Sequence, residues 1–155
     1  MWRYFGANRF VDLLTTGELY FPLLTKLSDS REGKLTERSR ERFLQQEVLS
    51  GADLNSAIAQ LASFEQHSDA FCVSCWDMNE RESYLMWKAY GDRGYAVQTT
   101  YERLASSFDG FTGIVEGSTV EYVDYGREEI AWGNVFTSVM VKDRPYEDER
   151  EFRLL

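Results

Sequence analysis

The run AFCVSCW, Ala70–Trp76, constrains this chain more than any other stretch. It is apolar, β-prone and too short for a helix, so it reads as a buried strand. WRYF, ELYFPLL, GYAVQTT and TVEYVDY read as further strands, with NVFTSVMVK as one more. Helical patterns lie among them. NRFVDLLTTG predicts a helix with Asn8 as N-cap and Gly17 as its stop, and Thr36–Leu49 a partly exposed helix with Phe43, Leu44 and Val48 as its stripe. Asp53 caps a third, in which Leu54, Ile58, Leu61 and Ala62 keep helical spacing. Ser83 caps SYLMWKAYG, which Gly91 stops, and YERLASSF is helical in spacing. Strands and helices are interspersed without regular alternation, which predicts an α+β domain and not a doubly wound sheet.

With 155 residues, 43% of them apolar, the chain is long enough to bury a core, and residues 1–155 read as a single domain without repeat or linker. A net charge of −9 with no basic patch disfavours binding to a duplex phosphate backbone. No stretch approaches the roughly 20 apolar residues of a bilayer span and no leader pattern opens the chain, so a cytoplasmic location is expected. Two cysteines, Cys72 and Cys75, are too few for a disulfide framework and fit a reducing compartment.

CVSC has the spacing of redox and zinc motifs, but strand positions three apart face opposite ways and no histidine cluster completes a metal shell. No metal is expected. The lone histidine, His67, lies in the polar tail FEQHSD with no nucleophile signature around it. GDRGYAV matches neither phosphate-loop pattern.

Two stretches are richer in chemistry. SYLMWKAYGDRGYAV gathers Tyr84, Trp87 and Tyr90, either as aromatic core or as a wall on which a planar ring stacks. The closing PYEDEREFRLL, if extended, places Glu147, Glu149, Glu151 and Arg153 on one face, with Glu149 and Glu151 about 7 Å apart. Such a pair, with Arg153 holding one member ionised, suits an acid or base beside a positioning group; protection of a sheet edge is the competing explanation. A helical turn starting at Pro145 would alter these distances.

From WRYFGANRFVDLLTTGELYF through SDSREG, FCVSCWDMNERESYLMWKAYGDRGYAV and VEYVDY to YEDEREFRLL, the chain resembles the bacterial and phage family called domain of unknown function 2971. In SDSREG only Asp29, Glu32 and Gly33 keep that family's pattern. Through this family the chain is similar to mono-ADP-ribosyltransferases. The resemblance implies a split sheet with peripheral helices, NAD as substrate, and a place in toxin action or phage–host conflict. It implies that Arg3 binds a phosphate or ribose of NAD, that Ser74 supports the glutamate, and that Glu151 stabilises an oxocarbenium-like state. Tyr84, Trp87 or Tyr90 would stack on nicotinamide, and Glu149 would orient or deprotonate an acceptor, protein among the candidates. The rival reading is a non-catalytic module of the same fold that binds a nucleotide or a protein. A nuclease is disfavoured by the acidic surface and the lack of a compact acidic metal motif. The chain stops inside its last expected strand, which fits a truncated or short member of the family.

Overall fold

Trp2–Phe5 forms strand β1, as its aromatic residues favour, in the computed structural model, which describes residues 1–90 and 93–155. Helix α1, Ala7–Thr16, follows, and Gly17 ends it in the left-handed conformation with φ 70°, donating its N–H to the Leu13 carbonyl. The helix starts before the expected Asn8: Gly6, in extended geometry, is the N-cap and supplies no side-chain bond. Phe10 turns back onto the sheet, stacking on Tyr95 with ring centroids 4.2 Å apart.

ELYFPLL does not form the expected strand. Pro22 lacks the N–H a ladder needs, and beyond it only Leu23 bridges, to Cys72, before a 3-10 turn at Leu24–Lys26. Helix α2, Glu37–Leu49, is capped by the Thr36 hydroxyl, and α3, Leu54–Ser68, by the Asp53 carboxylate as anticipated. The stripe on α3 is displaced from the anticipated one. Leu54 and Ile58 are exposed, whereas Ala57 and Ser68 are buried and Leu61 and Phe64 pack into a core. Phe43 alone of the α2 stripe is fully buried, with Leu44 against the core and Val48 exposed.

Strand β2 is Ser74–Asp77, helix α4 Tyr84–Tyr90, strand β3 Tyr95–Gln98 and helix α5 Tyr101–Ser106. The expected stop of α4 at Gly91 lies outside the described residues. TVEYVDY splits into β4, Gly117–Thr119, and β5, Glu121–Val123. NVFTSVMVK is not one strand. The Asn134 side chain accepts from Phe136 N–H at 2.9 Å and starts helix α6, Val135–Val139, and only then comes β6, Val141–Asp143. Arg144–Glu149 forms a 3-10 turn, and β7, Glu151–Leu154, closes the sequence.

The backbone groups into two compact units. One comprises Met1–Phe21, Val73–Thr119 and Asp148–Leu155. Its sheet is antiparallel throughout, in the order β3-β1-β2-β7-β4. Trp76, Leu104, Phe152 and Leu154 form its core, with Leu19, Phe21 and Phe108 packed against them. The other unit comprises Pro22–Cys72 and Val120–Glu147. Here β5 and β6 pair in parallel, and Leu35, Phe43, Val123, Tyr125, Ile130 and Val141 form the core with α2 and α3 side chains. The α+β expectation holds at this level. Among the described residues no helix is long and apolar enough to cross a membrane.

Candidate functional site

Register decides which side chains of the five-stranded sheet share a face, because cross-strand partners point the same way and neighbours along a strand point oppositely. Trp2 pairs with Asp77, and Asp77 with Glu151. Cys75 pairs with Arg153, and Trp76 with Phe152. One face therefore carries Trp2, Tyr4, Cys75, Asp77, Glu151 and Arg153, and the opposite face carries Arg3, Phe5, Ser74, Trp76, Phe152 and Leu154.

On the second of these faces, Arg3 is only 8% exposed. Its Nη1 donates to the Ser74 hydroxyl and its Nη2 to the Tyr20 carbonyl at 2.5 Å. The guanidinium carbon lies 5.1 Å from the Phe5 ring centroid and 5.7 Å from that of Trp76, and the Trp76 indole N–H also donates to Ser74, at 3.0 Å. No carboxylate among the described residues pairs with Arg3. Burial pulls Arg3 down from the usual arginine range to about 10, with Cys75 acting in the opposite sense, so it remains a cation at neutral pH. A buried guanidinium among aromatic rings and the Ser74 hydroxyl, with no carboxylate partner among the described residues, is suited to receive an anion.

On the first face, Arg153 holds Glu151 through two parallel bonds, Nε to Oε1 at 2.6 Å and Nη2 to Oε2 at 3.0 Å. Both residues are buried. The anticipated pairing of Glu151 with Arg153 on one face is present, whereas Glu147 and Glu149 lie in the 3-10 turn and leave the extended alternation. Pro145 explains this: its fixed φ suits a helical turn and denies a ladder bond. Arg150 then takes φ 40°, turning the chain from the 3-10 turn into β7. Tyr90 donates to Glu149 at 3.2 Å, so the structure brings these two together. Trp87 meets Tyr4 edge-on at 5.1 Å and donates its indole N–H to Glu82 at 2.7 Å. Tyr84 is 72% exposed and Lys88 approaches its ring at 5.6 Å, an open position and no closed wall.

Ser74, which the resemblance has supporting the glutamate, lies on the opposite face of the sheet from the Glu151 side chain. Ser74 Oγ serves Arg3 and Trp76, and the sheet lies between it and the Glu151 side chain. Three residues of the first unit escaped sequence reasoning: Trp2, Asp77 and Asn79. The Asn79 side chain donates to the Asp148 carbonyl at 3.3 Å and the Asp77 carboxylate accepts from Asn79 N–H at 2.7 Å, which clips the exit of β2 to the approach of β7. The parity of CVSCWD already separates Ser74 and Trp76 from Cys75 and Asp77, but only the register attaches each set to Glu151 or Arg3.

In the second unit, the SDSREG turn carries charge for structural reasons. Glu32 pairs with Lys142 at 3.3 Å, Arg31 with Asp143 at 2.5 Å, and Asp29 accepts from Arg31 N–H at 2.9 Å. Gly33 sits at φ 75°, where a Cβ would come within 2.6 Å of Leu24 and 2.9 Å of Ser68. Cys72 is exposed and Cys75 half-buried. Among the described residues no group of three or more His, Cys, Asp or Glu is placed to hold a metal ion.

Compared with protein-family models, with curated proteins and with solved structures, the chain matches none.

Proposed function

We propose that the protein binds a nucleotide, anchoring a phosphate on Arg3, and that NAD is the first ligand to test. The observation that carries this is the buried Arg3 guanidinium, which has hydrogen-bond partners but no carboxylate among the described residues. A buried cation without a carboxylate among the described residues costs free energy that an anionic ligand returns on binding. The fixed acceptor at Ser74 and the neighbouring Phe5 and Trp76 rings orient the fork. Calorimetric titration with NAD, ADP-ribose and pyrophosphate tests the reading. Arg3→Met should abolish binding of all three, and Arg3→Lys should retain a weakened form as a point charge. Equal affinities in wild type and Arg3→Met would refute it.

A second reading, NAD turnover in the manner of a mono-ADP-ribosyltransferase, draws support from the buried Glu151 held in one orientation by Arg153. A carboxylate fixed in one orientation is the electrostatic element such chemistry needs. Ser74 and Arg3 lie on the other face and take no part in it. In this reading Glu151 stabilises the developing positive charge and Glu149, held by Tyr90, serves the acceptor.

A further inference from the structure

Strand β4, Gly117–Thr119, closes one end of the five-stranded sheet, and all three of its residues are exposed. The phase of its ladder decides which backbone groups stay open. Glu116 and Leu155 exchange both N–H to carbonyl bonds, at 3.2 and 2.9 Å, so in the continuing antiparallel register Ser118 faces Arg153 in the same way. Gly117 and Thr119 take the alternate places, where N–H and C=O turn away from β7 toward the open edge. GST carries neither a charge nor a proline to guard that edge.

Beside the edge lies a partly open apolar cavity of about 150 Å³. Tyr101 and Leu104 of α5, with Phe108 beyond them, line one side, and Gly117, Phe152 and Leu154 line the other. An apolar cavity of that size takes a benzene ring. Gly117 sets no side chain on the edge-strand wall, and Phe152 and Leu154 lean into the room a Cβ would occupy, to within 2.8 and 2.9 Å of it. An edge glycine of this kind leaves a gap that a ring on the adjacent strand covers.

We propose that β4 and this cavity receive an extended segment of a partner protein, which pairs antiparallel to β4 and sets a phenylalanine opposite Gly117 with its ring in the cavity. The phenylalanine exchanges both backbone bonds with Gly117, and the residue two before it does the same with Thr119. The residue after it stands opposite Glu116, whose exposed carboxylate lies on the other face and favours a lysine or arginine there. The net charge of −9 attracts a basic segment in the same sense. A second copy of this chain fits less well, because β4 against β4 sets glycine, serine or threonine opposite Gly117 in place of a ring. The site shares the sheet face of Arg3 but lies at the other end of it, with β2 and β7 between.

Fluorescence anisotropy of the full chain with a dye-labelled Val-Thr-Phe-Lys-Val amide tests the proposal, with saturable binding expected at about 10–100 μM. Replacing the peptide's phenylalanine by alanine should weaken binding at least about tenfold. N-methylation of the phenylalanine amide, which meets the Gly117 carbonyl, should abolish binding, whereas N-methylation of the lysine amide, which points to solvent, should spare it. Thr119→Pro removes an outward N–H and no β7 bond, so the folded variant should lose about tenfold in affinity. Ala105→Leu, at an exposed position on the cavity rim, should fill the cavity and erase the preference for phenylalanine over alanine. Circular dichroism checks each variant, and where Thr119→Pro does not fold the two methylated peptides decide alone. No saturable binding, equal binding of the phenylalanine and alanine peptides, or equal effects of the two methylations would overturn the proposal. Dimerisation in sedimentation, abolished by Thr119→Pro and unaffected by the peptide, would assign the edge to a second copy and overturn it too. Pyrophosphate at Arg3 should leave the peptide's affinity unchanged.

Discussion

The Ser74 hydroxyl on β2 accepts from the Arg3 guanidinium on β1, while the Trp76 indole N–H converges on the same oxygen. Ser74→Ala therefore strands two buried donors with one change. We expect a loss of about 1–3 kcal/mol, read from the urea midpoint at unchanged slope. Pyrophosphate affinity should fall as well, because the guanidinium loses the acceptor that orients it. A variant as stable as wild type would show that the Arg3–Ser74 bond does not hold the sheet.

The Arg153–Glu151 pair predicts an asymmetry between single and double variants. Arg153→Met leaves a buried carboxylate without its fork and should destabilise by about 3–5 kcal/mol, whereas Arg153→Met with Glu151→Leu should recover much of that loss. Equilibrium unfolding of the three proteins measures it, and additive losses would contradict it.

NAD turnover makes a sharper demand on the same residue. Glu151→Gln keeps the shape and removes the charge, so nicotinamide release should slow at least about 100-fold in a protein that still binds ligand. Glu149→Gln should spare plain hydrolysis more than transfer to an acceptor, and Glu147→Gln should matter least. Three indistinguishable release rates would dismiss the turnover reading and leave nucleotide binding untouched.

Tyr4 offers a prediction in pH. Burial, followed by the Asp77 and Glu82 carboxylates, raises its phenol above the ordinary value of 10.0, while the bond from Ser83 N–H acts the other way. The folded protein thus keeps the Tyr4 proton where the unfolded chain has lost it. That contribution is complete below about pH 10 and disappears as pH rises through the folded value. The urea midpoint of wild type should fall more steeply above about pH 10 than that of Tyr4→Phe. Parallel curves would refute this.

Much of the local structure was legible in the sequence because it rests on short-range chemistry. The Asp53 cap, the left-handed Gly17 and the strands at Trp2–Phe5 and Tyr95–Gln98 each follow from residues within one turn or one strand. NVFTSVMVK misled because β-branched residues favour strands, yet Asn134 caps a helix there and the chain becomes extended only at Val141. Leu54 and Ile58 misled because helical spacing identifies a stripe without saying which stripe meets a neighbour. The candidate site suffered most. The register that pairs Trp2 with Asp77 and Asp77 with Glu151 sets Arg3 and Ser74 on the face opposite Glu151. Register is set by contacts far apart in sequence, and no local pattern in WRYF or SCWD encodes it.

A fifth expectation concerns Arg150, whose φ of 40° is one that side chains other than glycine rarely adopt. That strain amounts to roughly 1–2 kcal/mol, against an added unfolded-state entropy of roughly 0.5–1 kcal/mol for glycine. Arg150→Gly should therefore gain up to about 1.5 kcal/mol, less whatever the 3.5 Å contact from Arg150 to Asn79 supplies. Thermal melting decides it, and a clear loss of stability would show the side chain matters more than the backbone strain.

Strand β7 lies between β2 and β4, although β2 precedes it by more than seventy residues and the whole of the second unit's Val120–Glu147 segment intervenes before it. On the ribosome, then, β2 waits with one side of its backbone unpaired, and β4 with no ladder partner at all, until Glu151–Leu154 has emerged. The growing chain must shield Trp76 and an open edge for that interval, which makes nascent chains lacking the last strand candidates for chaperone capture. The slow step of refolding should be insertion of β7 into a gap, because its closure entropy is met before any of its ladder bonds form.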